Sequence, residues 1–426
     1  MLPPIPPRPP TPPAFLPSGP PPPAPPRSTP TPPTPPTEVT DALLHADATL
    51  ATEHAPHPIA AQGRDVFVTG AAGFVGTELV RRILEHSDAR VYCHVRARSA
   101  AEGHDRLIDG IRALGDTPPS WPARVVPVLG DLTRPRLGIA AAQWSEIAAE
   151  TGQLFHVGAL VNHVAPYRLF RRPNVHATAE LLRLSSTTAQ KRIHHVSSMG
   201  YWSGYRGAAE PGARNVAGPG AQAPGYLLSK WVADRLVEQA IDRGFPATIY
   251  RLGYVGGGWH GASNLRGWLE LHLRAFARLR EMPVGETRIA VTPVDLLATD
   301  LWTLAAQPDA PGRAYNLAHR EQVVSMADIE AAFAAIGRPV RRTPGPAWYA
   351  AFQAAPQDPY MQLLQVFLED EPPRWDDARH AFAQRVAAAT AAQLGHPTTF
   401  SKTDYLQAML AGLVRSEHSL RTRWAA

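Results

Sequence analysis

Cysteine occurs once in the 426-residue chain, as Cys93, so neither a disulfide scaffold nor a thiolate metal site can be built from it. Cys93 lies in the apolar run 91–95 and is expected as a small core residue. Lysine is scarce too: arginine supplies nearly all of the positive charge behind a net +5 and a pI near 9.5. Those arginines are scattered, and no basic stripe with interleaved aromatics suggests a nucleic-acid partner. The excess suits an acidic cofactor or partner instead. No apolar run approaches the ~20 residues of a membrane span, and no apolar core of a secretory signal opens the chain. The expectation is a monomeric, cytoplasmic protein with no membrane contact.

Proline, by contrast, is abundant, and 20 of the 45 fall between Pro3 and Pro36. Such a segment can neither pair its backbone donors nor bury enough side chains to fold. Residues 1–38 therefore read as a disordered leader, a semi-rigid tether or a docking tail. Residues 39–64 read as a weak helix, Asp41 to Leu50, followed by a polar connector.

Strand and helix periodicities then alternate. Short buried strands are expected at Asp65–Thr69, Val91–Val95, Val125–Leu129, Leu154–Val157, Arg192–Val196 and Ala247–Leu252. Helical spacing lies between them, at Thr77–His86, Asn174–Ala189 and Leu227–Arg243. This order implies right-handed βαβ crossovers and an α/β fold with a doubly wound parallel sheet over 65–317. Val291–Ala298 and Ala314–Leu317 read as returns to that sheet. Residues 253–290 and 318–426 read as a smaller, mostly helical C-terminal substrate lobe.

Gly70-Ala-Ala-Gly73-Phe-Val-Gly76 joins the first strand to the first helix of the sheet. Glycines there admit a pyrophosphate against the backbone, and the helix N-terminus adds partial positive charge. An NAD site usually has a carboxylate after the second strand, for the ribose hydroxyls. This chain has Arg96 and Arg98 instead, with Arg106 one segment later; a guanidinium suits the 2′-phosphate of NADP. Asp131 follows the third strand, where it could accept from an adenine amino group or cap a helix. Tyr226 and Lys230, four apart on a helix, share one face. The ammonium is expected to lower the phenol pKa, and Ser198 at the end of the fifth strand to hydrogen-bond a substrate oxygen. His156, His163, His194 and His195 lack partners at metal-ligand spacing and read as core or cleft-lining residues, with no metal.

Gly70, Gly73, Gly76, Ser198, Tyr226 and Lys230 together resemble the extended short-chain dehydrogenase/reductases. Val95-Arg96-Ala97, Gly130-Asp131-Leu132, the stretch from His156 to Asn162, Pro166-Tyr167, Asn174-Val175 and Pro293-Val294-Asp295 narrow the resemblance. They are similar to the thioester reductases that end many nonribosomal peptide and polyketide assembly lines. The similarity spans about Asp41 to Leu317. It departs at Val157, Ala177, Leu252 and Leu265-Arg266-Gly267-Trp268, where the family usually carries other residues.

The resemblance implies that Thr69, Phe74, Val75, Leu132, Gly158 and Gly253 lie against the cofactor beside the residues already named. It implies a thioester on a phosphopantetheine arm, reduced by NADPH to an aldehyde or onward to an alcohol. Tyr226 and Ser198 would serve the developing oxyanion. No carrier-serine, adenylation or condensation motif occurs in the chain, so an acyl or peptidyl carrier protein is expected to act in trans. The alternatives are a nucleotide-sugar epimerase or dehydratase, against which Arg96 argues. A non-catalytic NADP sensor or a thioester cyclase would be expected to dispense with the Tyr226–Lys230 pair.

Overall fold

Residues alternate faces along a strand, so a strand covered on both sides is largely apolar. In the computed structural model, which describes residues 39–162, 164–205, 212–285, 288–317, 323–369 and 401–416, the expected short strands are largely buried, with polar exceptions to the apolar pattern such as His194, His195 and Arg251. The strands are β1 (Asp65–Thr69), β2 (Val91–Val95), β3 (Val125–Leu129), β4 (Thr151–His156), β5 (Arg192–Ser198) and β6 (Ala247–Leu252). Phe67 and Leu154 pack into the core on one face, while Val66, Val68, Cys93 and Phe155 pack into the other. The leader, His163 and much of 318–426 lie outside the described residues.

Short strands β7 (Tyr254–Gly256), β8 (Glu281–Pro283), β9 (Arg288–Pro293), β10 (Ala314–Leu317), β11 (Val323–Ser325) and β12 (Arg341–Thr343) follow. The main sheet has seven parallel strands in the order β10-β6-β5-β4-β1-β2-β3. The order reverses at β1, so a crevice opens beyond the carboxyl ends of β1 and β4, where doubly wound sheets bind their ligands.

Helices cover both faces. One layer includes α1 (Asp41–Asp47), α4 (Ala141–Glu150), α6 (Ala177–Ser185) and α7 (Gly225–Asp242). The other is built from α2 (Phe74–His86), α3 (Ala100–Arg112) and α9 (Val294–Ala305). Short α5 (Tyr167–Phe170) leads into a wide π turn at Arg171–His176, which replaces the regular start expected for the helix from Asn174. Pro173 lies in that turn and has no N–H for a regular ladder. The N-terminal segment is anchored, not merely connecting: Asp47 accepts from Arg171 and from the Tyr167 hydroxyl.

One expectation is corrected. Ala314–Leu317 joins the sheet beside β6, but Val291–Ala298 does not. There β9 pairs with β7 and β11 in a separate small sheet, and helix α9 starts directly after Pro293. A proline cannot donate to a ladder, and its fixed φ suits the residue before a helix. The lobe is mostly helical, as expected, and also contains the short strands β8, β11 and β12. Its own core joins α8 (Trp268–Leu279), α10 (Met326–Ala335), α11 (Gly345–Ala354), α12 (Pro359–Glu369) and α13 (Lys402–Ser416). No helix among the described residues is long and apolar enough to cross a membrane.

The segment after β7 is tied to the sheet helices by charge. His260 places Nε2 2.6 Å from Glu78 of α2 and Nδ1 3.4 Å from Asp295 of α9. Hydrogen bonding to Asp295 and then Glu78 raises the imidazole to about 9, against the lowering effect of burial. A raised folded-state pKa stabilises fully below the unfolded value near 6.5 and is lost as pH rises through about 9. At about 1.4 kcal/mol per tenfold change in proton affinity, discounted for partial exposure, this is on the order of 2 kcal/mol. His260→Ala should therefore be less stable than wild type by roughly that much near pH 6, with the gap closing near pH 10. Denaturant unfolding across that range checks it; a pH-independent gap would mean that packing, not charge, is the tie.

Candidate functional site

Gly70 sits at φ +70°, and a Cβ there would lie 2.6 Å from the Gly158 Cα. At Gly76 a Cβ would lie 2.0 Å from the Gly70 carbonyl oxygen. The ends of β1 and β4 thus meet backbone against backbone, and the start of α2 lies on that same floor. Phe74, Val75 and Gly76 open α2, and no side chain caps it. Its first N–H groups lack helical partners and face a cavity of about 1530 Å³ lined by Gly70, Gly73 and these three residues. An anionic pyrophosphate fits such a floor. The volume exceeds the roughly 300–1,000 Å³ of an ordinary small-molecule pocket and leaves room for a dinucleotide and a second ligand.

The same cavity is lined by Arg96 and Arg106, by Asp131 and Leu132, by Gly158 and Gly253, and by Ser198, Tyr226 and Lys230. Of the expected site residues, Thr69 and Arg98 fall outside this lining. The Thr69 hydroxyl is buried behind the floor, where it accepts from the Gly158 N–H and meets His156 Nδ1 at 2.8 Å. Thr69 is a support, not a contact surface.

Arg96 is exposed at the end of β2, and Arg106 donates to its carbonyl oxygen at 3.2 Å. Arg98 points away and pairs with Glu102 at 2.8 Å. Asp131 caps no helix. Its Oδ1 accepts from the Thr133 N–H and hydroxyl, each at 2.8 Å, and these bonds hold its carboxyl below the ordinary range.

Ser198, Tyr226 and Lys230 converge from β5 and α7. Ser198 Oγ accepts from the Gly200 N–H at 3.1 Å, so its own O–H can still donate. Lys230 is buried and donates to the Val196 carbonyl oxygen at 3.1 Å. Burial lowers its ammonium to about 8, with Asp234 opposing. The expected lowering of the Tyr226 phenol is not met: burial, with the charge of Asp234, pushes it up to about 12. A phenol in an apolar wall keeps its proton, which suits a donor.

The reason α7 presents these groups was missed in the sequence. Tyr226, Lys230, Asp234 and Glu238 recur every four residues and form a polar stripe along one helix face. Against it β6 sets Arg251, 1% exposed, which donates to Asp234 and Glu238 at 2.8 Å each. The guanidinium lies 3.6 Å from the Tyr201 ring centroid, and the Tyr201 hydroxyl donates to Glu238 at 2.7 Å. His195 Nε2 approaches Asp234 at 3.3 Å. Although burial pushes Asp234 up, Arg251 and His195 hold it below its ordinary value. Four-residue spacing of polar groups on an otherwise apolar helix, facing an arginine inside a buried strand, was the available signal. His156 and His194 are likewise buried. Among the described residues, no group of three or more His, Cys, Asp or Glu side chains converges as a metal site.

A family model described as Male sterility protein, of the NAD-binding type, matches residues 68–301. A linear gramicidin synthase polypeptide of Brevibacillus parabrevis is 38% identical over 204 residues, 46% of this chain and 4% of that protein. Isonitrile lipopeptide synthase of Streptomyces coeruleorubidus is 34% identical over 328 residues, 73% of this chain and 22% of that one. The chain thus spans a minor part of the curated relatives it matches. Among solved structures, the terminal R domain from the myxalamid PKS-NRPS biosynthetic pathway superposes with a TM-score of 0.78 at 29% identity. That match covers 88% of this chain and 98% of the other.

Removing one member of a buried ion pair strands the other and typically costs 3–5 kcal/mol. Asp234→Ala should destabilise the protein by about that much in denaturant unfolding. A loss under about 1 kcal/mol would show that Arg251 does not need this partner.

Proposed function

The chain belongs to this NAD-binding reductase family, among the terminal reductase domains of nonribosomal peptide and polyketide synthesis, and from that premise we propose that it reduces a carrier-delivered acyl thioester with NADPH. The observation that carries the reading is the convergence of Ser198, Tyr226 and Lys230 on one cavity with the glycine-rich floor and Arg96.

The floor at Gly70, Gly73 and the start of α2 would hold the pyrophosphate, and Lys230 the nicotinamide ribose. Arg96, with Arg106 beside it, would hold the 2′-phosphate. Two guanidiniums favour that group, and a carboxylate at this strand end would repel it. The cofactor, when bound, supplies a hydride to an electrophilic carbon. Ser198 donates to the thioester carbonyl oxygen and orients it. Tyr226 gives that oxygen a proton as negative charge builds, and Lys230 steadies the phenolate left behind. The resulting hemithioacetal loses its C–S bond; the thiolate takes a proton and the hydroxyl oxygen becomes the carbonyl of an aldehyde. The phosphopantetheine arm and its carrier follow from the family's chemistry and suit the basic balance of the chain. Arg96 disfavours the epimerase reading, and retention of Tyr226 and Lys230 disfavours the sensor and cyclase readings.

Tyr226→Phe keeps the ring and removes the proton. It should bind NADPH normally and lose thioester reduction by at least ~10²-fold; near-wild-type turnover would refute the mechanism. Arg96→Ala should weaken NADPH roughly ten- to a hundredfold and leave NADH about unchanged, as loss of a charged phosphate contact requires. Fluorescence titration of both cofactors reads the difference, and equal weakening would make Arg96 a structural residue.

A further inference from the structure

Single exposed apolar side chains are ordinary, but clusters of them mark binding surfaces. Four of the large exposed hydrophobics among the described residues, Leu160, Val161, Val164 and Leu169, fall in one short stretch between β4 and the end of α5. All four line the cavity. Their backbone is clamped, not loose. Buried Asn174 accepts from the Leu160 N–H at 2.7 Å and donates to the Leu160 carbonyl at 3.0 Å. Its amide also donates to Ser229 Oγ at 3.0 Å, one residue before Lys230. Asn162 Oδ1 holds the Val164 and Ala165 N–H groups at 2.9 Å each. The apolar wall is therefore fixed relative to the Tyr226–Lys230 pair, and Trp268 and Tyr360 also line the cavity.

The charges around this wall are one-sided. Among the described residues, Asp131 is the one carboxylate in the cavity lining. It follows β3, four strand positions from β5 and Ser198, roughly 19 Å at ~4.8 Å per strand. The ionic groups of the lobe side are arginine, at Arg266. An ammonium on the acyl group would lose water here and meet no counter-charge.

We infer that the acyl group reduced at this site is an apolar chain without a free amine, seated on Leu160, Val161, Val164 and Leu169. The inference rests on the thioester-reductase reading and narrows its substrate class: alkanoyl or aryl-capped thioesters fit the wall, and thioesters with a charged amine do not.

The test compares the full chain, with NADPH, on alkanoyl thioesters of increasing length. Each is paired with an isostere whose terminal methyl is replaced by an ammonium group. Where the chain reaches the wall, kcat/KM for the alkanoyl member should exceed its partner by about a hundredfold, as a pocket with no place for a polar group discriminates. Val161→Asp adds a carboxylate and should narrow that ratio by at least ~10-fold while NADPH affinity holds. Equal use of both members, or preference for the amine, overturns the inference and leaves the reductase reading standing. Reduction of no thioester by protein that binds NADPH overturns the reductase reading, and the inference with it. If the variant fails to bind NADPH, the wild-type ratios decide alone.

Discussion

The contact between α7 and β6 through Arg251, Asp234 and Glu238 determines where the chemistry of this protein can sit. A buried guanidinium is tolerated only with its charge answered, and two carboxylates from successive turns of one helix answer it. Because those turns carry the same face as Tyr226 and Lys230, the ion pairs that dock the helix also fix the rotation of the two proposed catalytic groups. A helix turned by one residue would strand the arginine and swing the tyrosine away from Ser198. Position is thus enforced by a desolvation penalty, not by the weak preferences of an exposed helix.

The rest of the site is built from backbone. The order reversal at β1 opens the crevice, and Gly70, Gly76 and Gly158 let two strand ends and a helix start approach without side chains between them. Thr69 and Asn174, both buried, tie the segment after β4 in place through side-chain hydrogen bonds to its main-chain groups. The two ends of the cavity then differ in character. Arginines flank the glycine floor, and an apolar wall faces the Tyr226–Lys230 pair.

Much of this is legible in the sequence. Apolar runs locate the six main strands, and the glycine spacing, Arg96, Ser198, Tyr226 and Lys230 mark residues that do line one cavity. What escapes a reading of the sequence depends on contacts distant along the chain. Asp234 and Glu238 look like solvated helix positions because Arg251 lies in another element. Residues 291–298 have the apolar content of a strand, but Pro293 ends one element and the next begins directly after it. The phenol of Tyr226 is raised, not lowered, because burial, with the charge of Asp234, pushes it up. Thr69 sits at the right strand end, yet its hydroxyl turns inward to serve Gly158 and His156.

Coupling of hydride transfer to C–S cleavage on a thioester is the chemistry proposed for this cavity. It is tested most directly with NADPH deuterated at the transferable position, an alkanoyl thioester and mass analysis of the products. One thiol should be released for each NADPH consumed in forming aldehyde, with one deuterium on the former carbonyl carbon. Thiol released without NADPH oxidation, or product without that label, would contradict it.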